Sequence, residues 1–441
     1  MSNKFKMNKN TEREFQGNLP LKKRQELRFN HTQSFLQKRI LLGSHFVKMS
    51  MVGYYFRINP DNTIDWQNPI SENDLILDLK DAGLKLGITD SDIKKMIDSD
   101  SIKDVTPLHL VNEQIESVKW DGTDYIQQFI DALNLKGNLN TNSMIIRKWI
   151  INTYTLAMKG INGAITWNPI PRVVIILHSE KRKLGKSSVL RWLGLEGLIA
   201  KTIPNLTVDV YGELQSSMTK DERQFQMMLA GSMILNFDDI GEMLMNNPAE
   251  LRAICSQTYV QTRKLFTSNN ISMRRRAGIC GSTNNSTVLR DGDENRYAVF
   301  SLKNDGVNWD LINSINPIDI WRQAKHEAEQ LEFDSNFTDE ETDKVIKLAQ
   351  EYLYTTPAED FISNEFSYCP ECDMKWEDIR TMVRESEIQT HNREIQSAIK
   401  KLTPVGLREK KKVNGYTKWC LKIKSEYDRS PSVRAGDGLP F

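Results

Sequence analysis

Gly185-Lys186-Ser187 follows the apolar run PRVVIILH and opens the segment SVLRWLG. Those residue types, in that order, suit a phosphate ester. A continuous β-branched run is the mark of a strand buried on both faces of a parallel sheet. Leu184-Gly185-Lys186-Ser187-Ser188 then reads as the back half of a phosphate-binding loop. Gly185 lets the backbone approach the phosphates, and the first N–H groups of the helix point at their oxygens. Lys186 would reach the terminal phosphates and the Ser187 hydroxyl would ligate Mg²⁺, so ATP and Mg²⁺ are the expected cofactors. The front half of the loop departs from the usual pattern. Glu180 stands where a first Gly is usual, and Lys183 where such loops commonly carry another. A non-Gly residue held at positive φ costs about 1–2 kcal/mol. Glu180 would repel a triphosphate unless it turned away, while Lys181, Arg182 and Lys183 add positive charge. A chance triplet or a decayed loop is the competing reading.

Three further features stand downstream in order. Asp238 and Asp239 close the apolar run SMILNFDD, where paired carboxylates suit Mg²⁺ coordination and polarisation of an attacking water. Asn284 ends a third run, AGICGSTNN, at a place suited to sensing a γ-phosphate. Arg296 could supply a cationic finger to a neighbouring subunit's nucleotide. Each alone has a plain alternative: an acidic strand end, a turn residue, a surface arginine. Their order gives them weight as a set. Between the second and third runs, QTRKLFTSNNISMRRR reads as a hairpin about Ser268-Asn269-Asn270. It bears Arg263, Lys264 and Arg274 to Arg276, of which Arg263, Lys264, Arg274 and Arg275, with Asn269, are candidate contacts to single-stranded DNA in a ring channel. A solvated basic hairpin is the equal alternative. Cys369-Pro-Glu-Cys372 has no second pair to complete a zinc site, and free thiols are expected there.

These residues need elements to hold them. Strands separated by helices, each ending in polar residues, describe an α/β nucleotide-binding core with its site at the strands' carboxyl ends. Residues 28–135 read as a small N-terminal α+β domain, 136–335 as the P-loop core, and 336–425 as a helical linker and winged-helix domain. In the last, MKWEDIRTMVRES and HNREIQSAIKKL are amphipathic helices, and GLREKKKVNGYTKWCLKI is a hairpin about Asn414-Gly415. Arg393 and Lys400 of the second helix, with Lys410 and Lys411 of the wing, are candidate contacts to duplex DNA, a protein-interaction module of the same fold being the alternative. Residues 1–27 read as a flexible basic arm. Residues 426–441 read as a disordered tail whose Leu439-Pro440-Phe441 end resembles the tip of bacterial single-stranded-DNA-binding proteins, which would dock on replication proteins, with a frayed end as the equal alternative. Net charge is +1, so local basic patches carry the argument for DNA rather than the total. No apolar stretch is long enough for a membrane span, and no secretory leader is expected. Five cysteines do not make a disulfide framework, and a reducing cytoplasm is the expected location.

With those motifs in place, the chain resembles the virulence-associated protein E (VapE-like) family, among the superfamily 3-type helicases of phages and mobile elements. The resemblance runs through IESVKWDGTDYIQQFIDAL, IIRKWI, the phosphate loop, NFDD, MRRRAGICGSTNN and LRDGDENRY. Similarity to the family implies an AAA+-like core, hexamerisation, Mg·ATP hydrolysis and 3′–5′ movement along DNA. The roles carry over to Lys186, Ser187, Asp238, Asp239, Asn284 and Arg296, while Glu180, Lys183 and Tyr297 depart from the pattern. The expected function is therefore a homo-oligomeric DNA helicase or replication-initiation ATPase of a mobile element. Two alternatives stay open: a non-hydrolysing DNA-binding or regulatory protein, and a defence or interference factor acting on replication.

Overall fold

The computed structural model describes residues 45–49, 51–83, 97, 102–159, 161, 173–203, 206, 209–215, 222–263, 270–289, 295–330, 336–353, 356–404, 407–414 and 416–425. The expected arm, the tail with Leu439, Pro440 and Phe441, and the hairpin residues Lys264 and Asn269 lie outside them. The chain divides into two compact units, residues 1–286 with 292–350, and 287–291 with 351–441.

Val174–His178 (β5) is buried at all five positions, as its continuous apolar sequence requires. It belongs to a five-stranded sheet with Tyr211–Gln215 (β6), Ile234–Asp238 (β7), Gly278–Thr283 (β10) and Tyr297–Ser301 (β11). The order is β11-β5-β10-β7-β6, and every pairing is parallel. The fold of this unit is mixed α/β with a parallel sheet. The three apolar runs of the sequence are β5, β7 and β10, and β6 and β11 extend the sheet on either side. A parallel sheet needs helices on its faces. The 20-residue helix Leu139–Met158 covers part of one, with buried Trp149 donating from Nε1 to the Ile279 carbonyl of β10 at 3.2 Å. Helix Pro317–Ala328 packs beside it, where Arg147 bridges Glu327 at 2.6 Å and Asp124 at 2.5 Å. Trp321 of that helix is fully buried and donates to the Leu193 carbonyl at 3.0 Å. The same hydrophobic core takes in residues from the start of the described chain. Val47 and Met49 of Phe46–Met49 (β1) and Phe56 of Tyr54–Arg57 (β2) share it with Ile175 and Leu177. With Ile70–Ser71 (β3) and Lys103–Asp104 (β4), those strands form a second sheet in the order β3-β2-β1-β4.

Tyr259–Arg263 (β8) and Asn270–Arg274 (β9) pair antiparallel, Arg263 facing Asn270, as a hairpin between β7 and β10. One of the basic residues placed on it is not a surface group. Arg275 is 2% exposed, and its guanidinium donates to the backbone carbonyls of Ala277, Ile254 and Cys255. Burial lowers its pKa to about 10, yet it stays cationic and tied to the chain, so it is not a phosphate contact. Arg274 is the accessible neighbour and lies 5.5 Å over the ring of Tyr259.

In the second unit, helices Pro357–Glu365, Trp376–Glu385 and Asn392–Leu402 meet over Ile362, Ile379, Val383, Ile395 and Ile399. Lys410–Val413 (β13) and Tyr416–Trp419 (β14) form the expected hairpin, with Val413 facing Tyr416 across a two-residue loop. Asn414 takes the left-handed φ of 53° that such a loop demands. Leu421–Ile423 (β15) turns away to pair with Phe366–Tyr368 (β12). The free thiols expected at Cys369 and Cys372 are instead a disulfide, because the turn after β12 brings the two side chains together. Among the described residues no helix is long and apolar enough to cross a membrane.

Candidate nucleotide site

The carboxyl ends of β5, β7 and β10 converge on a cavity of ≈ 340 Å³. Arg182 to Ser188, Asp238, Asp239 and Ser282 to Asn284 line it. The loop after β5 is shaped by two residues at positive φ, Lys183 at 64° and Gly185 at 91°. Gly185 also caps helix Lys186–Leu193 and aims its first N–H groups into the cavity. Lys183 thus carries the strain that a glycine would avoid. Glu180 is exposed and does not line the cavity, while Arg182 and Lys183 do.

The Lys186 ammonium is buried and held between two acceptors, Ser179 Oγ at 2.6 Å and Asn284 Oδ1 at 2.8 Å. Burial pushes its pKa below the usual lysine value, opposed by the charges of Asp238 and Asp239. Asp238 Oδ1 accepts from both Ser187 Oγ and Ser282 Oγ at 2.8 Å. Asp239, exposed at a left-handed φ of 53°, receives only a long contact of 3.4 Å from Thr283 Oγ1. So Lys186, Ser187, Asp238, Asp239 and Asn284 are brought together, and Leu184, Gly185 and Ser188 form the wall around them. Ser179 and Ser282 were missed from sequence. Their signal was modest: a small hydroxyl residue at the carboxyl end of a buried strand, where its side chain faces the site.

Arg296 is not part of this cavity. It precedes β11, its carbonyl accepting from Val174 N at 2.7 Å, at the amino end of the sheet. Five residues of strand separate that end from the loop, about 16 Å at ~3.3 Å per residue. Among the DNA candidates, Arg393 and Lys400 are exposed on helix Asn392–Leu402. Lys410 Nζ lies 4.0 Å over the Trp419 ring, and Lys411 Nζ donates to the carbonyls of Pro370 at 3.2 Å and Glu371 at 2.5 Å. The Arg263 backbone sits at the end of β8.

The oxygen donors at the cavity suit a hard cation. Asp238 Oδ2 has no hydrogen-bond partner among the described residues and stands beside the Ser187 hydroxyl. One carboxylate and one hydroxyl is a typical protein share of a Mg²⁺ site that also takes phosphate and water. Among the described residues, no group of three or more His, Cys, Asp or Glu is arranged to hold a metal ion by protein ligands alone.

Residues 115–354 match the sequence profile of the virulence-associated protein E-like domain. No curated protein matches the chain. Among solved structures, the chain is similar to the apo structure of the NrS-1 C-terminal region (305–718), at 10% identity and a TM-score of 0.46, covering 88% of this chain and 98% of that one. It is also similar to the A form of the same region, at 10% identity and a TM-score of 0.44, over 82% and 85% of the two chains.

Proposed function

Because the chain belongs to the virulence-associated protein E-like family, whose domain spans residues 115–354, we propose that it is a Mg·ATP-dependent DNA motor of mobile-element replication, a helicase or replication-initiation ATPase working as a ring, most simply a hexamer. One observation carries the reading. A lysine ammonium at a helix N-terminus, a serine hydroxyl on a carboxylate and an asparagine amide face one cavity from the ends of adjacent parallel strands.

Phosphate oxygens are anions, and the loop offers them backbone N–H groups and a desolvated cation. Lys186 is aimed by Ser179 and Asn284, so little side-chain entropy is lost when it transfers to a phosphate. Mg²⁺, held by Ser187 and Asp238, would supply neutralisation of the charge that builds on the transferred phosphoryl group. Asn284 turns from Lys186 to the γ-phosphate as a sensor, and Asp239 orients the attacking water. Arg296, at the far end of its own sheet, serves the site of a neighbouring subunit. Arg263 and Arg274, with Lys264 and Asn269, contact single-stranded DNA. The two helices and hairpin of the second unit act as a winged helix on duplex DNA through Arg393, Lys400, Lys410 and Lys411. The segment Leu439-Pro440-Phe441 is proposed to dock on replication proteins.

The test is ATP binding and hydrolysis, with and without single-stranded DNA, for wild type and Lys186→Ala. DNA-stimulated, Mg-dependent turnover that the variant loses is expected. A folded wild-type protein that neither binds nor hydrolyses ATP would sink the motor reading. The left-handed Lys183 favours one rival, a regulator that binds nucleotide without turnover. The same assay separates them, since binding without hydrolysis at any DNA concentration supports the rival.

A further inference from the structure

The cavity explains how a triphosphate is held but offers nothing to a base. Apart from Leu184, its lining side chains are polar or charged, and it contains no aromatic ring. Beside it, outside the phosphate cavity, stands Trp309. It is 36% exposed, so part of the indole face is open to solvent beside the loop.

Trp309 is placed against the loop by a specific construction. The segment after β11 runs along the loop, with Val307 N donating to the Leu184 carbonyl at 3.1 Å. Gly306 allows that approach: it lies at φ 71°, and a Cβ there would meet the same carbonyl oxygen at 2.8 Å. Asn308 N is tied to the Ala132 carbonyl at 2.8 Å, and the Asn308 side chain caps the helix that begins at Trp309. The indole therefore rests directly on Gly185. A Cβ at Gly185 would meet Cζ2 and Nε1 of the ring at 3.2 Å each. Gly185 is thus required twice, for its positive φ and for the indole lying on it.

We propose that Trp309 is the platform on which the base of the bound nucleoside triphosphate stacks, a reading that rests on the phosphate site described above. The phosphates occupy the cavity, and the ribose carries the base past Gly185 onto the exposed part of the indole. Stacking of this kind tolerates any base, so it adds affinity for nucleotides over other polyphosphates rather than choice among bases.

Isothermal titration of the full chain with Mg·ATP and, separately, with Mg·tripolyphosphate tests this for wild type, Trp309→Ala and Trp309→Phe, each checked by a thermal melt. Trp309→Ala should weaken ATP about tenfold or more, a typical loss for one stacked base. Tripolyphosphate affinity should stay unchanged, and Trp309→Phe should recover most of the loss for ATP. Unchanged ATP affinity in Trp309→Ala overturns the proposal. Equal weakening of both ligands also overturns it, because the ring would then merely hold the loop. A wild type that binds neither ligand overturns the phosphate site itself, and the platform with it.

Discussion

Lys183 holds a backbone conformation that suits glycine, and it is a charged residue of the cavity lining. Those two roles separate in Lys183→Gly. Relief of the left-handed strain should raise stability by about 1 kcal/mol, read as a higher Tm, while loss of the charge weakens nucleotide binding. A lower Tm would show that the side chain, not the backbone, governs the loop. Asp238→Ala removes the acceptor shared by Ser187 and Ser282. It should retain nucleotide yet lose Mg-dependent turnover, whereas Lys186→Ala should lose binding itself. A third residue sets a pH limit far from the site. His109 is buried, and its Nδ1 accepts from Thr106 N at 2.9 Å at the start of helix Pro107–Glu116, so the ring is needed neutral. Burial and the charge of Lys103 lower its pKa from 6.5 to about 4. The folded state therefore binds fewer protons than the unfolded one between those values. Its contribution is complete above pH 6.5 and is lost as pH falls to about 4, up to about 3 kcal/mol in all. Thermal melts from pH 7.5 to 4 should show that decline, and His109→Gln should flatten it. An unchanged slope in the variant would assign the acid sensitivity elsewhere.

At the scale of elements, the buried Arg275 makes a sharp contrast with its neighbour Arg274. Arg275→Ala removes the guanidinium that donates to the Ala277, Ile254 and Cys255 carbonyls and should destabilise by about 3 kcal/mol or more, although Ile254 keeps the Gln257 N–H. DNA affinity per folded molecule should not change. Arg274→Ala should do the reverse, weakening single-stranded DNA and reducing the salt dependence of binding with little effect on Tm. The sequence is informative here only as far as composition goes, because three adjacent arginines look alike until the turn after β9 ties Arg275 and Arg276 to backbone carbonyls and leaves Arg274 over Tyr259. The same limit explains the sheet. β5, β7 and β10 are legible as continuous apolar runs because both their faces are covered. β6, with Gly212 and Glu213, carries residues depleted in strands, and sits at the sheet's edge. The hairpin of β13 and β14 was legible because its Asn-Gly turn has a backbone requirement. Trp309 and Gly306 were invisible as site residues, since their contact with the loop joins segments far apart in sequence.

At the scale of the whole molecule, the distance between Arg296 and the cavity of its own chain has a consequence for assembly. If the arginine acts in a neighbour's site, Arg296→Ala should bind nucleotide normally and fail in turnover, alone. Mixing it with Lys186→Ala should restore part of the activity, since some interfaces then pair an intact loop with an intact arginine. No recovery at any mixing ratio, with both proteins folded and associated, would remove Arg296 from that role. The order of the sheet bears on something else, the making of the protein. β5 is hydrogen-bonded to β10 on one side and β11 on the other, and to neither strand that follows it directly. About a hundred residues, on the order of ten seconds of ribosomal synthesis, separate the emergence of β5 from that of its first partner. During that interval Val174-Ile175-Ile176-Leu177 has unpaired edges and apolar faces. The phosphate loop is therefore anchored late, and nascent chains arrested before β10 should be cut readily by protease near β5 and held by chaperones. Chains arrested well past β11 should resist, and equal resistance at both lengths would show that the strand finds shelter before its sheet exists.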